Sequence, residues 1–424
     1  MPLHRPPCHG APAAARAFGA RAGFALLAAL AASAASALAA TPVAITTAAS
    51  AAPAAPASAP GSTEITATVD RVILPLMREQ RIPGMAVGVV DHGRSYVLNY
   101  GVASAATGAA VTDATLFEVG SVTKCFTAAL AGWAVARQRL RLEAPVQRYV
   151  PQLRGSAFGR VSVLELGTHT PGGVPLQVPD TVHDRAQLLA YLRAWKPACP
   201  PGSCRSYSNI ATGMLGIAAA RSLGMPFEQA MQQRLFPALG LHHSWLRVPP
   251  GERADYALGT TQDGQPIRMR RGELADESYG LRTTAGDLLR YLRLNLDPRG
   301  LPPELRQALD ITRTRYVQAG PLTQDLVWEQ VPYPAPLPTL LAANSMRMIL
   351  GTVPATPIEP PAPPAAGAWI NKTGATNGFS AYVAMVPRLG LGLVLLANRN
   401  IPIDAQVRAA RDIVQALAAA GEPR

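Results

Sequence analysis

Apolar positions recur at helical spacing near the start of the chain, where Val69, Val72, Ile73, Leu76 and Met77 of "TEITATVDRVILPLMREQ" share one face. The next stretch, "GMAVGVVDHGRSYVLNYG", reads as strand, Asp-His-Gly turn and strand. The far end holds the same parts in reverse order, a hairpin in "AYVAMVPRLGLGLVLLANRN" and a helix in "DAQVRAARDIVQALAAA". Together they predict one antiparallel sheet completed by the two ends of the chain.

Between about residues 140 and 330 the pattern changes. "RAQLLAYLRAW", "NIATGMLGIAAARSLG" and "FEQAMQQRLF" are helical, and no strong strand run interrupts them. This predicts a mostly helical part over 136–329 set into an α/β part made of 63–135 and 330–424, with a cleft where they meet. "PATPIEPPAPPAAG", residues 354–367, reads as a surface crossing back to the sheet. No internal repeat is visible.

The first residues stand apart. A basic start with Arg5, Arg16 and Arg21 leads into "GFALLAALAASAASALAA", which ends in a small-residue cleavage pattern before Ala40. Residues 1–39 are read as a signal for export to the periplasm, and 40–62 as an Ala/Pro-rich flexible segment. Losing the three signal arginines lowers the formal charge from +12 to +9. The arginines are scattered apart from "IRMRRGEL", and no aromatic residues interleave with them. That pattern reads as a solvated basic surface rather than a nucleic-acid groove. Nor does the chain carry a stop-transfer flank, so no stable membrane insertion is expected after signal cleavage.

Of four cysteines, Cys8 leaves with the signal and Cys125 lies in an apolar helix. Cys199 and Cys204 bracket a tight turn, and in an exported protein a disulfide between them is favoured over two free thiols. The seven histidines show no metal-ligand spacing, and no cofactor is expected.

Candidate chemistry begins with lysine. Only Lys124, Lys196 and Lys372 occur among 39 basic residues, so a retained lysine is a candidate for proton exchange, which arginine cannot perform. In "GSVTKCFTAALAGWAVAR", Gly120 permits a sharp entry and Ser121 opens a helix apolar on nearly every side. Lys124 lies one turn on, within reach of the Ser121 hydroxyl, whose own N–H can stabilise developing negative charge. In "RSYSNIATGMLG", Tyr207 and Asn209 can project into one cleft, with Tyr207 a candidate base between the two lysines. In "INKTGATNGFSAYVAMVP", Lys372, Thr373 and Gly374 lead into a strand whose Ala375 N–H can complete an oxyanion hole with that of Ser121. Gly374 and Gly378 are read as making room for a ligand. Each motif alone has a plain structural reading: a helix cap, a half-buried tyrosine, a turn before a strand.

S-x-x-K, Y-x-N and K-T-G in this order resemble the penicillin-recognising serine hydrolases. "GSVTKCFTA", "PGGVPLQVPD", "SYSNIATGMLG", "FEQAMQQRLFPALGL", "ESYG", "VWE" and "NKTGATNGFSAYVAMVP" resemble the class C serine β-lactamases over almost all of residues 65–420. The resemblance implies an α/β (α+β) fold of the β-lactamase/transpeptidase type. It implies hydrolysis of the β-lactam amide of antibiotics, cephalosporins above all, by a monomer. Ser121 would be the acylated nucleophile, Lys124 its partner and Tyr207 the general base. Gln177 and Asn209 would bind the substrate's amide side chain. Lys372, a catalytic residue, and Thr373 would hold the tetrahedral state and the substrate carboxylate, with Asn400 nearby. Tyr279 would line the acyl side-chain pocket, with Glu329 at its edge. The chain departs from the family at His169, where tyrosine is usual, and at Ile403 and Gln406, where asparagine and arginine are often seen. These departures bear on substrate preference and inhibitor sensitivity. An esterase or D-amino-acid peptidase on the same scaffold, or an acylated sensor that does not turn over, are the alternatives.

Overall fold

The computed structural model describes residues 60–421. The expected export signal, Cys8 and the flexible segment up to residue 59 lie outside the described residues. The segment read as flexible ends earlier than expected, because a helix starts at Pro60 and runs to Glu79. Proline suits a first helical position, where its missing N–H has no partner to lose.

Ten strands form one antiparallel sheet. In chain order they are β1 (Gly84–Asp91), β2 (Arg94–Gly101), β3 (Cys204–Ser206), β4 (Arg315–Ala319) and β5 (Leu322–Asp325). Then follow β6 (Glu329–Pro332), β7 (Thr352–Ala362), β8 (Ala368–Ala375), β9 (Ser380–Val386) and β10 (Leu391–Ala397). Across the sheet the order is β2-β1-β10-β9-β8-β6-β5-β4-β7-β3, so the two chain ends meet where β1 pairs with β10. The first hairpin turns through His92 and Gly93, both at positive φ (47° and 84°), as a two-residue turn matched to strand twist requires. The terminal helices Pro60–Glu79 and Ile403–Gly421 pack on each other.

Two expectations need correction. The stretch read as a proline-rich surface crossing is largely strand: β7 pairs with β3 through Thr352–Pro354 and with β4 through Ala355–Pro357. Each of these stretches is paired on one side only and the register shifts between Pro357 and Ala362, so prolines are tolerated where the ladder does not need their N–H. Likewise β3, β4 and β5 lie within the range that showed only helical patterns. They are short and carry buried polar residues, Gln324 and Asp325, which hide the alternation that marks a strand.

The helix Thr123–Ala136 is buried from Thr123 to Ala134, as its all-round apolar character demands. It packs between the helices Pro303–Arg313 and Asn209–Ser222. A methyl group added at Gly132 would sit 2.6 Å from the Ala308 carbonyl oxygen, so this glycine sets how closely the helices approach. Among the described residues no single helix is long and apolar enough to cross a membrane.

Gly132→Ala therefore tests helix spacing against helix propensity. Alanine gains about 1 kcal/mol of propensity, while the collision with backbone costs ~2–3 kcal/mol. Urea unfolding is expected to show a net loss of ~1–2 kcal/mol; a gain in stability would refute the close-packing account.

Candidate active site

Ser121 lies not in the first turn of the long helix but in a 3-10 turn, Gly120–Val122, just before it. Gly120 has φ 49° and sits against the backbone of Ala375, where a side chain would collide. Gly374 meets the same turn from the other side: a methyl group there would strike the Val119 carbonyl and lie 3.1 Å from the Ser121 nitrogen. The two glycines thus let two backbones touch. Gly378 packs against Ile267 and Gly259. Gly378, in the turn after this strand, thus makes room for protein and is not among the cleft-lining residues, whereas Gly374 both admits the Ser121 turn and lines the cleft.

The strand edge is free where it is needed. β6 pairs with β8 only from Ala368 to Asn371, so Lys372 to Ala375 have a ladder partner on the β9 side alone. Their other edge faces the Ser121 turn. This brings the Ser121 and Ala375 backbones to one place.

Lys124 is fully buried, and its Nζ lies 2.9 Å from Ser121 Oγ and 2.7 Å from the Ser278 carbonyl oxygen. The carbonyl can only accept, so one N–H goes to Ser278. A neutral amine then keeps a lone pair for the serine proton. Burial, then the nearby Lys372 charge, hold the Lys124 amine well below the usual lysine range. Lys372 is tuned the other way: burial, the largest single effect, opposes its charge, but the Glu329 carboxylate, with Oε2 3.8 Å from Nζ, together with Tyr207 and Cys125 more than offsets it and raises the pKa. One lysine is set to exchange a proton and the other to hold its charge.

Tyr207 sits between them, its ring centre 5.3 Å from Lys124 Nζ and 4.8 Å from Lys372 Nζ. Its buried hydroxyl has no partner among the described residues. The His169 ring packs on it, centroids 4.5 Å apart. His169 Nδ1 accepts the Ser208 N–H at 3.2 Å, which places the ring proton on Nε2. Burial, then Arg205 and the two lysines, push the His169 pKa well below the ordinary range, so this residue stays neutral.

Asn209 opens the helix Asn209–Ser222, but Ser208 caps it by accepting the Ala211 N–H. The Asn209 side chain is left free to donate to Gln177 Oε1 at 2.8 Å. Ser121, Gln177, Tyr207, Asn209, Tyr279, Glu329, Lys372, Thr373, Gly374, Ala375 and Asn400 all line one cleft of about 1060 Å³. Lys124 lies beneath it, reaching it through Ser121. The catalytic and substrate-binding candidates named from the sequence therefore gather at one site.

Three placements differ from expectation. Glu329 is no rim residue: its carboxylate is buried and accepts from Arg205 Nη2 at 2.6 Å. Gln406 turns into the protein, donating to the Ile401 carbonyl at 3.3 Å, while Ile403 lines the cleft as an apolar side chain. The "IRMRRGEL" arginines are not merely solvated surface, because Arg268 and Arg270 also line the cleft.

Arg205 was not legible as part of the site. Its guanidinium is fully buried, donating from Nε to Gln324 and from Nη1 to the Met348 carbonyl, and it lies under the Tyr207 ring. Removing one partner of such a buried pair typically costs about 3–5 kcal/mol, because the other charge stays behind unpaired. One arginine among 36 carries no signal for this; the only cue is its place two residues before Tyr207. Cys199 and Cys204 are joined as a disulfide beside this strand, as favoured from the sequence.

Known proteins share these features. A family model described as Beta-lactamase matches residues 69–418. A β-lactamase from Lysobacter lactamgenus is 45% identical over 355 residues, spanning 84% of this chain and 92% of that protein. Among solved structures, a class C β-lactamase in complex with cefoxitin is 47% identical with a TM-score of 0.82, covering 84% of this chain and 99% of that one. D-alanine carboxypeptidase AmpC from Burkholderia cenocepacia is 50% identical with a TM-score of 0.80, over 83% of this chain and 99% of that one. The chain belongs to the β-lactamase family, in its class C serine branch.

Proposed function

We propose that this protein hydrolyses the β-lactam amide of antibiotics, cephalosporins in particular, through an acyl-enzyme on Ser121. The observation that carries the reading is the 2.9 Å contact between Ser121 Oγ and an amine that burial and a like charge keep short of protons. Ser121 gives its proton to Lys124 as Oγ attacks the lactam carbonyl. The N–H groups of Ser121 and Ala375 take up the negative oxygen. As the C–N bond breaks, the proton passes by way of Tyr207 to the ring nitrogen. In the second half a water gives its proton to the Tyr207–Lys124 pair and attacks the ester. Ser121 Oγ recovers a proton from that pair when the C–O bond breaks.

Gln177 and Asn209 hold the acyl amide, and Tyr279 borders the acyl substituent. Lys372, Thr373 and Asn400 receive the substrate carboxylate, with Gly374 keeping the strand edge close. Glu329 and Arg205 form the charged floor under Lys372 and Tyr207. We infer that the enzyme acts in the periplasm after export, as the basic and apolar opening of the chain suggests. Every group in the scheme comes from a single chain, which suits action as a monomer.

Steady-state turnover of a chromogenic cephalosporin tests the reading, beside hydrolysis of a D-Ala-D-Ala peptide and an ester. Fast lactam turnover lost in Ser121→Ala is expected. Faster cleavage of the peptide or the ester would overturn it, as would stoichiometric acylation without release.

Lys124→Arg should keep the positive charge yet lower the acylation rate by about 10³-fold, since proton transfer of this kind contributes roughly 10²–10⁴. Rapid acylation by that variant would remove Lys124 from the proton path.

Acylation should rise with pH as Lys124 loses its proton, giving an acidic limb well below the usual lysine range. The Lys372 charge lowers the Lys124 pKa, so Lys372→Met should move that limb to higher pH. A limb that stays in place would show that another group controls it.

A further inference from the structure

The cleft has an arginine that the scheme above does not use. Arg270 lines it, is exposed, and has no ion-pair or hydrogen-bond partner among the described residues. Its neighbours are committed. Arg268 stacks on the Tyr256 ring at 4.1 Å and donates to the Ala257 carbonyl at 3.1 Å, and Arg271 pairs with Asp276. Among the described residues Glu329 is the only carboxylate lining the cleft, and Arg205 and Lys372 engage it.

The segment that carries Arg270 is anchored just ahead of the turn that holds the nucleophile. Glu118, three residues before Ser121 and fully buried, accepts the Met269 N–H at 2.7 Å and the Tyr256 hydroxyl at 2.5 Å through one oxygen. Its other oxygen accepts the Thr376 hydroxyl at 2.6 Å, next to Ala375. One carboxylate thereby fixes the Arg270 segment against both halves of the oxyanion hole. Ile267 of the same segment packs on Gly378, which fixes it again.

The charge has a definite side. Two residues beyond Arg270, Gly272 lies beside the Tyr279 hydroxyl, so this wall borders the acyl substituent. Ile403 and the exposed Met346 and Leu350 give the cleft apolar lining as well. We propose that Arg270 forms an anion subsite on the acyl wall, selecting β-lactams whose acyl substituent carries a second carboxylate. This rests on the lactamase reading of the same cleft. The guanidinium meets the carboxylate in a groove open to solvent, so its effect is that of an exposed to half-buried ion pair.

The test is a pair of cephalosporins that differ only by a carboxylate on the acyl substituent. Wild-type enzyme should favour the carboxylated member in kcat/KM. Arg270→Gln should lower the ratio of the two kcat/KM values by about fivefold, through KM, and Arg270→Glu should lower it further. Raising ionic strength should narrow the ratio in wild type but not in Arg270→Gln. An unchanged ratio in both variants would overturn the subsite, as would an equal loss on both substrates. Calorimetric binding of the same pair to Ser121→Ala reads the subsite without turnover. Absence of lactam turnover in wild type would sink the lactamase reading, whereas equal affinities of Ser121→Ala and its Arg270→Gln double variant for the carboxylated member would sink the subsite.

Discussion

Everything at the site depends on two backbones touching. The Ser121 turn and the Lys372–Ala375 edge come from segments some 250 residues apart, and they meet because Gly120 and Gly374 present no side chain to each other's strand. Each glycine would collide with main-chain atoms if it carried a methyl group, and main chain cannot swing away as a long side chain can. The contact does three things together. It brings the Ser121 and Ala375 backbones together, places Lys372 beside the Tyr207 ring, and leaves Lys372–Ala375 without a ladder partner on that edge.

Electrostatics then separates two lysines that would otherwise repel and titrate alike. A single carboxylate, Glu329, is shared by Arg205 and Lys372 and stands closer to Lys372 than to the serine's partner. The consequence is a division of labour. Lys372 is biased toward keeping its proton and Lys124 toward losing its own, and the Lys372 charge is itself part of the reason for the Lys124 bias. Tyr207 lies between the two with a free hydroxyl and neutral His169 behind it, so the ring is held by packing rather than by a competing hydrogen bond. His169 in place of the usual tyrosine fits this arrangement because its Nδ1 is occupied by the Ser208 N–H and its surroundings are cationic.

Legibility followed the range of the interaction. The terminal helices and hairpins could be read because their periodicity is local, and the His92-Gly93 turn announces itself in two residues. β4 and β5 could not, since Gln324 and Asp325 are buried for partners elsewhere in the fold rather than for an apolar face. The prolines of β7 argued against a strand, but its one-sided pairing and register shift remove the need for their N–H groups. At the site, Ser121 and Lys124 were visible as a one-turn pair. Arg205, Glu118 and the floor role of Glu329 were not, because their partners lie far away in the chain: Glu329 is 124 residues from Arg205 and Thr376 is 258 from Glu118.

By itself the sequence determined which residue types meet a proton-transfer need: a serine and a lysine one helical turn apart, a tyrosine before a buried helix, and a second lysine before a strand, in a chain that otherwise uses arginine. It also determined the family, because those motifs occur in one order over most of the chain. The tertiary structure alone decided the opposite pKa shifts of the two lysines, the burial of Glu329 and Arg205, and the exposure of Arg270 in the cleft. The physical reason is that charge state depends on distance and desolvation, and both are set by segments that the linear order keeps apart.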